Sequence, residues 1–281
     1  MRPIWFLGDN HAGFDYIVDA IDEAQTKPVA VIFLGDIEAP IPFEMCIEDI
    51  LRRDVDVRWI IGNHDTDTEE NYRNLLAPES MARNIDGKIV DVNGVRIAGL
   101  GGVFRGEIWF ERETANARSH GIGFRNFDDY RRDLQQKQGL KRRLSKMDWV
   151  QGQAVPDRLS MFVDESKNGK LRKHRSSIFP DVYDALAKQR ADILVTHEAP
   201  GCHPLGFEEL SLLADSMHVM ACFHGHQHDN LSYPLLFGRI RAHGVGLRGI
   251  SDQDGVVIKT GELDDHRAAL RQSRVNPPCS D

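Results

Sequence analysis

The chain has 281 residues, 41% hydrophobic and 28% charged, the balance of an ordinary soluble globular protein with enough apolar material for a core. No stretch approaches the roughly 20 apolar residues of a membrane-spanning helix, and the four cysteines (Cys46, Cys202, Cys222, Cys279) show no paired spacing. A helical membrane protein and a disulfide scaffold are therefore excluded, and reduced thiols in a cytoplasmic protein are expected.

In chain order, Pro3–Leu7 reads as a buried strand, and Phe14, Ile17, Val18 and Ile21 follow helical spacing. The first apolar run leads straight into Gly8 and Asp9, so cleavage of a leader would remove a motif used below, and none is expected. Val29–Leu34 is a second β-branched run, followed by a helix starting near Pro42. Val57–Ile61 is a third, ending at Gly62. Lys88–Val92 and Val95–Leu100 flank Asn93-Gly94, a two-residue hairpin signal.

After Gly101-Gly102 the pattern breaks. Arg105 to Arg175 holds 17 Lys and Arg against 10 Asp and Glu, a balance of +7 that leaves −15 for the rest of a chain whose net charge is −8. Asp128–Lys146 suits a charged helix, with Tyr130, Leu134, Leu140 and Leu144 as a thin apolar face. Residues 104–176 read as a basic insertion or cap within a single domain spanning 1–281, or equally as a solvated surface excursion. As a cap, its cations would attract an anionic substrate, with Arg105 and the run Arg172–Arg175 the residues to test. Alternation resumes with a helix near Pro180–Lys188, strand Asp192–Thr196, a helix near Glu208–Asp215, strand Val219–Phe223 and a short segment Val256–Lys259.

Five polar motifs share one placement. Gly8-Asp9-Asn10-His11, Gly35-Asp36 and Gly62-Asn63-His64-Asp65 follow the first three runs, His197 follows the strand ending at Thr196, and Gly225-His226-Gln227-His228 follows the strand ending at Phe223. Ligand sites of open α/β sheets lie beyond the carboxyl ends of the strands, so the five can converge. Carboxylate oxygen, neutral imidazole nitrogen and amide oxygen are ligands for Mn, Fe, Zn and similar divalent ions. Asp9 and His11, like His226 and His228, stand at i and i+2 and on extended backbone face one side. Singly, each motif has an ordinary reading: Gly-Asp as a turn, Asp9 or Asn63 as a cap, His197 as a satisfied core histidine. The conjunction of seven ligand types in order favours a metal site.

The series Asp-x-His, Gly-Asp, Gly-Asn-His-Asp, lone His and Gly-His-x-His resembles the calcineurin-like metallophosphoesterase superfamily over residues 8–228. The resemblance implies a four-layer αββα sandwich of two mixed β-sheets flanked by helices. It implies two divalent metal ions (Mn, Fe, Zn, Ni or similar), one held by Asp9, His11, Asp36 and His228, the other by Asp36, Asn63, His197 and His226. The implied reaction is hydrolysis of a phosphate mono- or diester by a metal-bridging hydroxide, with His64 as general acid or charge stabiliser. Apart from the resemblance, Arg105 is a candidate phosphate contact because it follows the Gly101-Gly102 strand exit on that side. The phosphoprotein phosphatase branch continues its second block as Gly-Asp-x-Val-Asp-Arg-Gly, whereas here Ile37, Glu38, Ala39 and Pro40 follow Asp36. The carboxylate that orients the catalytic histidine in that branch has no counterpart, which leaves Glu38 or Asp65 as candidates. A small phosphate ester is the expected substrate. Polymeric nucleic acid is the alternative, and a non-catalytic scaffold the third. No membrane partner is expected, and the oligomeric state is open.

Overall fold

A computed structural model describes residues 2–110, 121–137 and 169–266. Two mixed sheets form its centre. The first runs β13(Val257–Lys259)-β12(Ile250–Asp252)-β1(Ile4–Leu7)-β2(Ala30–Phe33)-β3(Asp56–Trp59). The second runs β10(Leu231–Ser232)-β11(Arg241–Gly244)-β9(Ala221–His224)-β8(Ile193–Thr196)-β5(Val95–Leu100)-β4(Ile89–Val92). A two-stranded ribbon, β6(Trp109–Phe110) and β7(Gly121–Ile122), stands apart. Neighbours β1, β2 and β3 run parallel, as do β5, β8, β9 and β11, while the other pairs are antiparallel.

Alternation along the central strands generates the layers. Ile4 and Phe6 of β1 face Val195 and Phe223 of the opposite sheet, with the Phe6 and Phe223 rings stacked 4.0 Å apart. Trp5 and Leu7 point the other way, onto Ile17 and Ile21 of the helix Asp15–Glu23 and onto Ile47 and Ile50. On the outer face of the second sheet, Leu194 and Cys222 meet Leu186 of Pro180–Ala187 and Leu210, Leu213 and Ala214 of Glu208–Ser216. Helix, sheet, sheet, helix is the four-layer sandwich expected from the sequence. Among the described residues no helix is long and apolar enough to cross a membrane.

Most local expectations hold, with informative shifts. Asn93 and Gly94 both adopt positive φ, at 54° and 85°, and close the β4–β5 hairpin with Val92 opposite Val95, as a two-residue primed turn requires. The helix near Pro42 is two short turns, Phe43–Cys46 and Glu48–Leu51, broken at Ile47. Strand β9 starts at Ala221, later than Val219, because Val219 N still bonds Ala214 O in the preceding turn; it extends to His224, which pairs with Thr196.

The ends of the 104–176 stretch meet, since Val103 N donates to Ser176 O and Ile178 N to Val103 O. A helix over 127–137 covers part of the expected charged helix; Leu140 and Leu144 lie outside the described residues. Tyr130 and Leu134 pack with Ile108 and Phe127 of the same stretch and with Phe179 and Val182 of the body, and Arg125 binds Asp181 at 2.7 Å.

Candidate metal centre

All five motifs lie just beyond strand ends of the two sheets, β1, β2 and β3 on one and β8 and β9 on the other. Their loops bend sharply. His11, Ala12, Asp36, Glu38, His226 and His228 have φ between 40° and 63°, six of the eleven described non-glycine residues with positive φ. Each such conformation costs on the order of 1–3 kcal/mol, and such strain gathers at functional sites. The glycines let the loops crowd together. A Cβ on Gly62 would overlap the amide nitrogen and Oδ1 of Asp36, and one on Gly225 would overlap Oδ1 of Asp9.

Two groups of candidate ligands result: Asp9, His11 and His228, and Asp36, His197 and His226. In the first, His228 Nε2 lies 2.8 Å from Asp9 Oδ2 and 3.4 Å from His11 Nε2. In the second, His197 Nε2 lies 3.4 Å from Asp36 Oδ2 and 3.0 Å from Asn63 Oδ1. The groups are tied together. His226 N donates to Asp9 Oδ1 at 2.8 Å, and Asp36 O accepts the amides of Asn10 and His11. Neither Asp9 nor Asn63 takes the capping role that a single-motif reading allows. The helix Asp15–Glu23 has no side-chain cap, and Asn63 makes no side-chain cap bond to the turn it precedes.

The residues present fit divalent cations. Asp9 Oδ2 is buried and lacks a hydrogen-bond partner even though His228 Nε2 is 2.8 Å away, so the two approach without hydrogen-bond alignment. Donor atoms turned toward one shared point in this way suit cation coordination better than mutual bonding. Outer nitrogens are held: His11 Nδ1 meets Glu38 Oε1 at 2.5 Å and His197 Nδ1 meets Leu34 O at 2.7 Å, contacts that as donations leave each Nε2 facing the centre. Burial would keep His197 neutral, but Asp36 and Asp9 outweigh it and push its pKa up to about 10. Cation and proton therefore compete for that nitrogen. Burial, helped by the nearby His197, holds His226 down to about 4, the neutral form a ligand needs. Burial would likewise raise Asp36, yet His197 and the His64 amide hold its carboxyl below the ordinary value.

His64 stands outside both groups, half exposed at 47%. Its partner is neither sequence candidate. Glu38 turns to His11, and Asp65 is buried, taking the amides of Glu38 and Gly62 at 2.8 Å each. Asp67 Oδ2 meets His64 Nδ1 at 2.6 Å. The short 3₁₀ turn His64–Thr66 explains this, because i and i+3 share a face there and i+1 does not. That spacing was the signal in the sequence. Burial opposes a charge on His64, but Asp67, Asp36 and Glu38 together raise its pKa.

Arg105 reaches the same rim. Its Nη1 donates to Ser176 O at 2.5 Å and Ser177 Oγ at 3.0 Å, and its charge feels Asp67, Glu198 and Asp36. Glu198 was not foreseen; it is buried, with Oε2 3.8 Å from His226 Nε2. Part of the run Arg172–Arg175 turns inward. Arg172 bonds the loop after His64 and His174 is buried, while Lys173 and Arg175 are exposed, Arg175 lying over Phe127 at 3.7 Å. Of the histidines near the motifs, His224 bonds Tyr233, His203 lies against them and near Asp229, and His243 stacks on Phe223.

Glu38 gives a first prediction. Glu38→Gln keeps the shape but removes the carboxylate that holds His11, and metal affinity is expected to fall by about 10–100-fold, as for other outer partners of ligating histidines. Titration with a chelator and metal analysis check it; unchanged affinity would exclude Glu38 from that task.

Residues 2–230 match the family model described as calcineurin-like phosphoesterase. An uncharacterized protein of Haemophilus influenzae is 33% identical over 255 residues, covering 90% of this chain and 94% of that protein. Among solved structures, TT1561 of Thermus thermophilus shares 12% identity with a TM-score of 0.46, over 91% of this chain and 97% of the other. The phosphopantetheinyl hydrolase of Mycobacterium tuberculosis shares 16% identity with a TM-score of 0.43, over 99% and 94%.

Proposed function

We propose a function from one established premise: this chain belongs to the calcineurin-like phosphoesterase family. It is a metal-dependent hydrolase of phosphoester bonds, and our reading is that it uses two divalent cations on a small phosphate ester. The observation that carries this reading is the pair of adjacent ligand groups, Asp9/His11/His228 and Asp36/His197/His226. Asn63 joins the second through its 3.0 Å approach to His197. We assign Asp36 to both, because it sits where the loops after β1, β2 and β3 touch.

When bound, two such cations supply Lewis-acid polarisation of the phosphoryl oxygens and a water of lowered pKa. The chain's own residues do the rest. The buried carboxylates of Asp9 and Asp36 fix the floor, and the imidazoles of His11, His226 and His228 close the rim. His64 Nε2 gives its proton to the leaving oxygen while Asp67 holds Nδ1. Arg105 offers a guanidinium to a non-bridging phosphate oxygen, pinned by Ser176 and Ser177. We place the protein in the cytoplasm, where free Cys46, Cys202 and Cys222 would stay reduced.

The +7 balance of 105–175 favours a second reading, action on polymeric nucleic acid. The commitment of Arg172 to the backbone of Thr66 and Asp67 weighs against it. The test is a panel of aryl phosphate mono- and diesters, mononucleotides and oligonucleotides with Mn, Ni, Mg and Zn. Small esters should be hydrolysed with a shallow salt dependence. Oligonucleotide turnover with a steep salt slope favours the nuclease instead. No hydrolysis with any metal overturns the enzyme reading and leaves the scaffold.

A further inference from the structure

Arg172 comes from the far end of the basic stretch, more than a hundred residues from the loop it grips. Its Nε donates to Thr66 O at 2.9 Å, Nη2 to Asp67 O at 3.0 Å, and Nη1 to Glu69 Oε2 at 3.1 Å. Beside it, Ser176 Oγ lies 2.8 Å from Thr66 Oγ1. The guanidinium is mostly covered, with 20% of the side chain exposed.

The turn it grips is anchored at its start, by the His64 amide on Asp36 and the buried Asp65 carboxylate, but not at its end. His64–Thr66 is three residues of 3₁₀ helix, closed at its end by the bond from Asp67 N to His64 O. Hydrogen bonding is poor in such a turn, and its last carbonyls have no partner inside it. The His64–Asp67 pair riding on it is also loosely placed, with side chains 47% and 60% exposed, and exposed pairs of this kind contribute little ordering. Acid catalysis needs the imidazole held to about 0.5 Å. A planar guanidinium with two nitrogens on consecutive carbonyls fixes both position and tilt of the turn, which a point-charge ammonium does not.

We propose that Arg172 is a positioning residue for the acid, acting through the carbonyls of Thr66 and Asp67 to hold Asp67 and thereby His64. The basic stretch is thus part of the catalytic apparatus, by charge-assisted bonds to the turn rather than by drawing in an anion. This rests on the reading of His64 as general acid.

The test uses the full-length, metal-loaded protein and a series of phenyl phosphate esters, mono- or diesters according to which is turned over, with leaving groups from 4-nitrophenol to phenol. Arg172→Met keeps the packing stem and removes the fork. It should lower kcat about 10- to 100-fold for the phenyl ester, the scale of a displacement near 1 Å, and much less for the 4-nitrophenyl ester, with KM and metal content near wild type. Arg172→Lys should fall between, and stands in if Arg172→Met does not fold. In a His64→Ala background the Arg172 substitution should cost nothing further, since two residues acting as one unit are not additive. Equal loss for all leaving groups, full additivity with His64→Ala, or wild-type kcat overturns the proposal. If His64→Ala itself shows no leaving-group dependence, the acid reading has failed; if it does while Arg172 variants behave as wild type, only this inference has.

Discussion

Asp36→Asn is expected to abolish activity by depleting metal. Asp36 is 1% exposed, and its three oxygens serve three loops: the main-chain carbonyl takes the amides of Asn10 and His11, Oδ1 takes the amide of His64, and Oδ2 faces His197. Asparagine preserves the volume and one acceptor oxygen, so the fold should persist. It removes the only charge that the second group takes from a carboxylate, and an anion that both groups share on our reading. Losing Lewis-acid help worth several kcal/mol lowers the rate by about 10³-fold or more. The measurements are metal content per chain and kcat/KM under saturating metal. Wild type should hold two cations and the variant fewer. Two cations at full occupancy with unchanged turnover would remove Asp36 from the site.

His64→Ala separates chemistry from binding. The side chain contributes to neither ligand group and is half exposed, so its loss should leave metal content and melting temperature near wild type. A general acid contributes about 10²–10⁴-fold, and kcat should fall by that scale for esters of poor leaving groups. Where the leaving oxygen departs readily without a proton, the loss should shrink. Asp67→Asn should reproduce a weaker version, because Asp67 acts through its bond to Nδ1 of His64. If esters of phenol and 4-nitrophenol lose equal rate in His64→Ala, His64 stabilises charge or orients substrate and is not the acid.

The roles of neighbouring polar residues show where one-dimensional reading ends. Glu38, Asp65 and Asp67 all lie within a few residues of a motif and have the same functional group. Asp65 is buried with a carboxyl pushed up to about 7 by burial and by Asp36, and it ties Glu38 to Gly62. Glu38 holds a ligand, and Asp67 holds His64. The backbone's local turn sorted them, and adjacency in sequence did not. Likewise the cationic run Arg172–Arg175 reads as free charge, yet Arg172 is bound to the body through partners more than a hundred residues away, while Arg175 stacks on Phe127 within the same stretch.

The sequence by itself determined the buried strands and the candidate ligand list, and the four-layer arrangement was implied by the family resemblance. Period-two alternation of apolar side chains sorts β1 into Ile4 and Phe6 facing one side and Trp5 and Leu7 the other, and that pattern is local. The ligands were legible because coordination chemistry restricts residue types and because each stands directly after an apolar run. How these residues divide into groups was implied by the family resemblance and not by local pattern, and the tertiary structure shows which of them meet. The partition into Asp9/His11/His228 and Asp36/His197/His226 joins residues up to 219 positions apart, and the grip of Arg172 on Thr66 and Asp67 spans more than a hundred. Such pairings depend on strand order and register, which are set by how two sheets bury a common core and not by any local propensity.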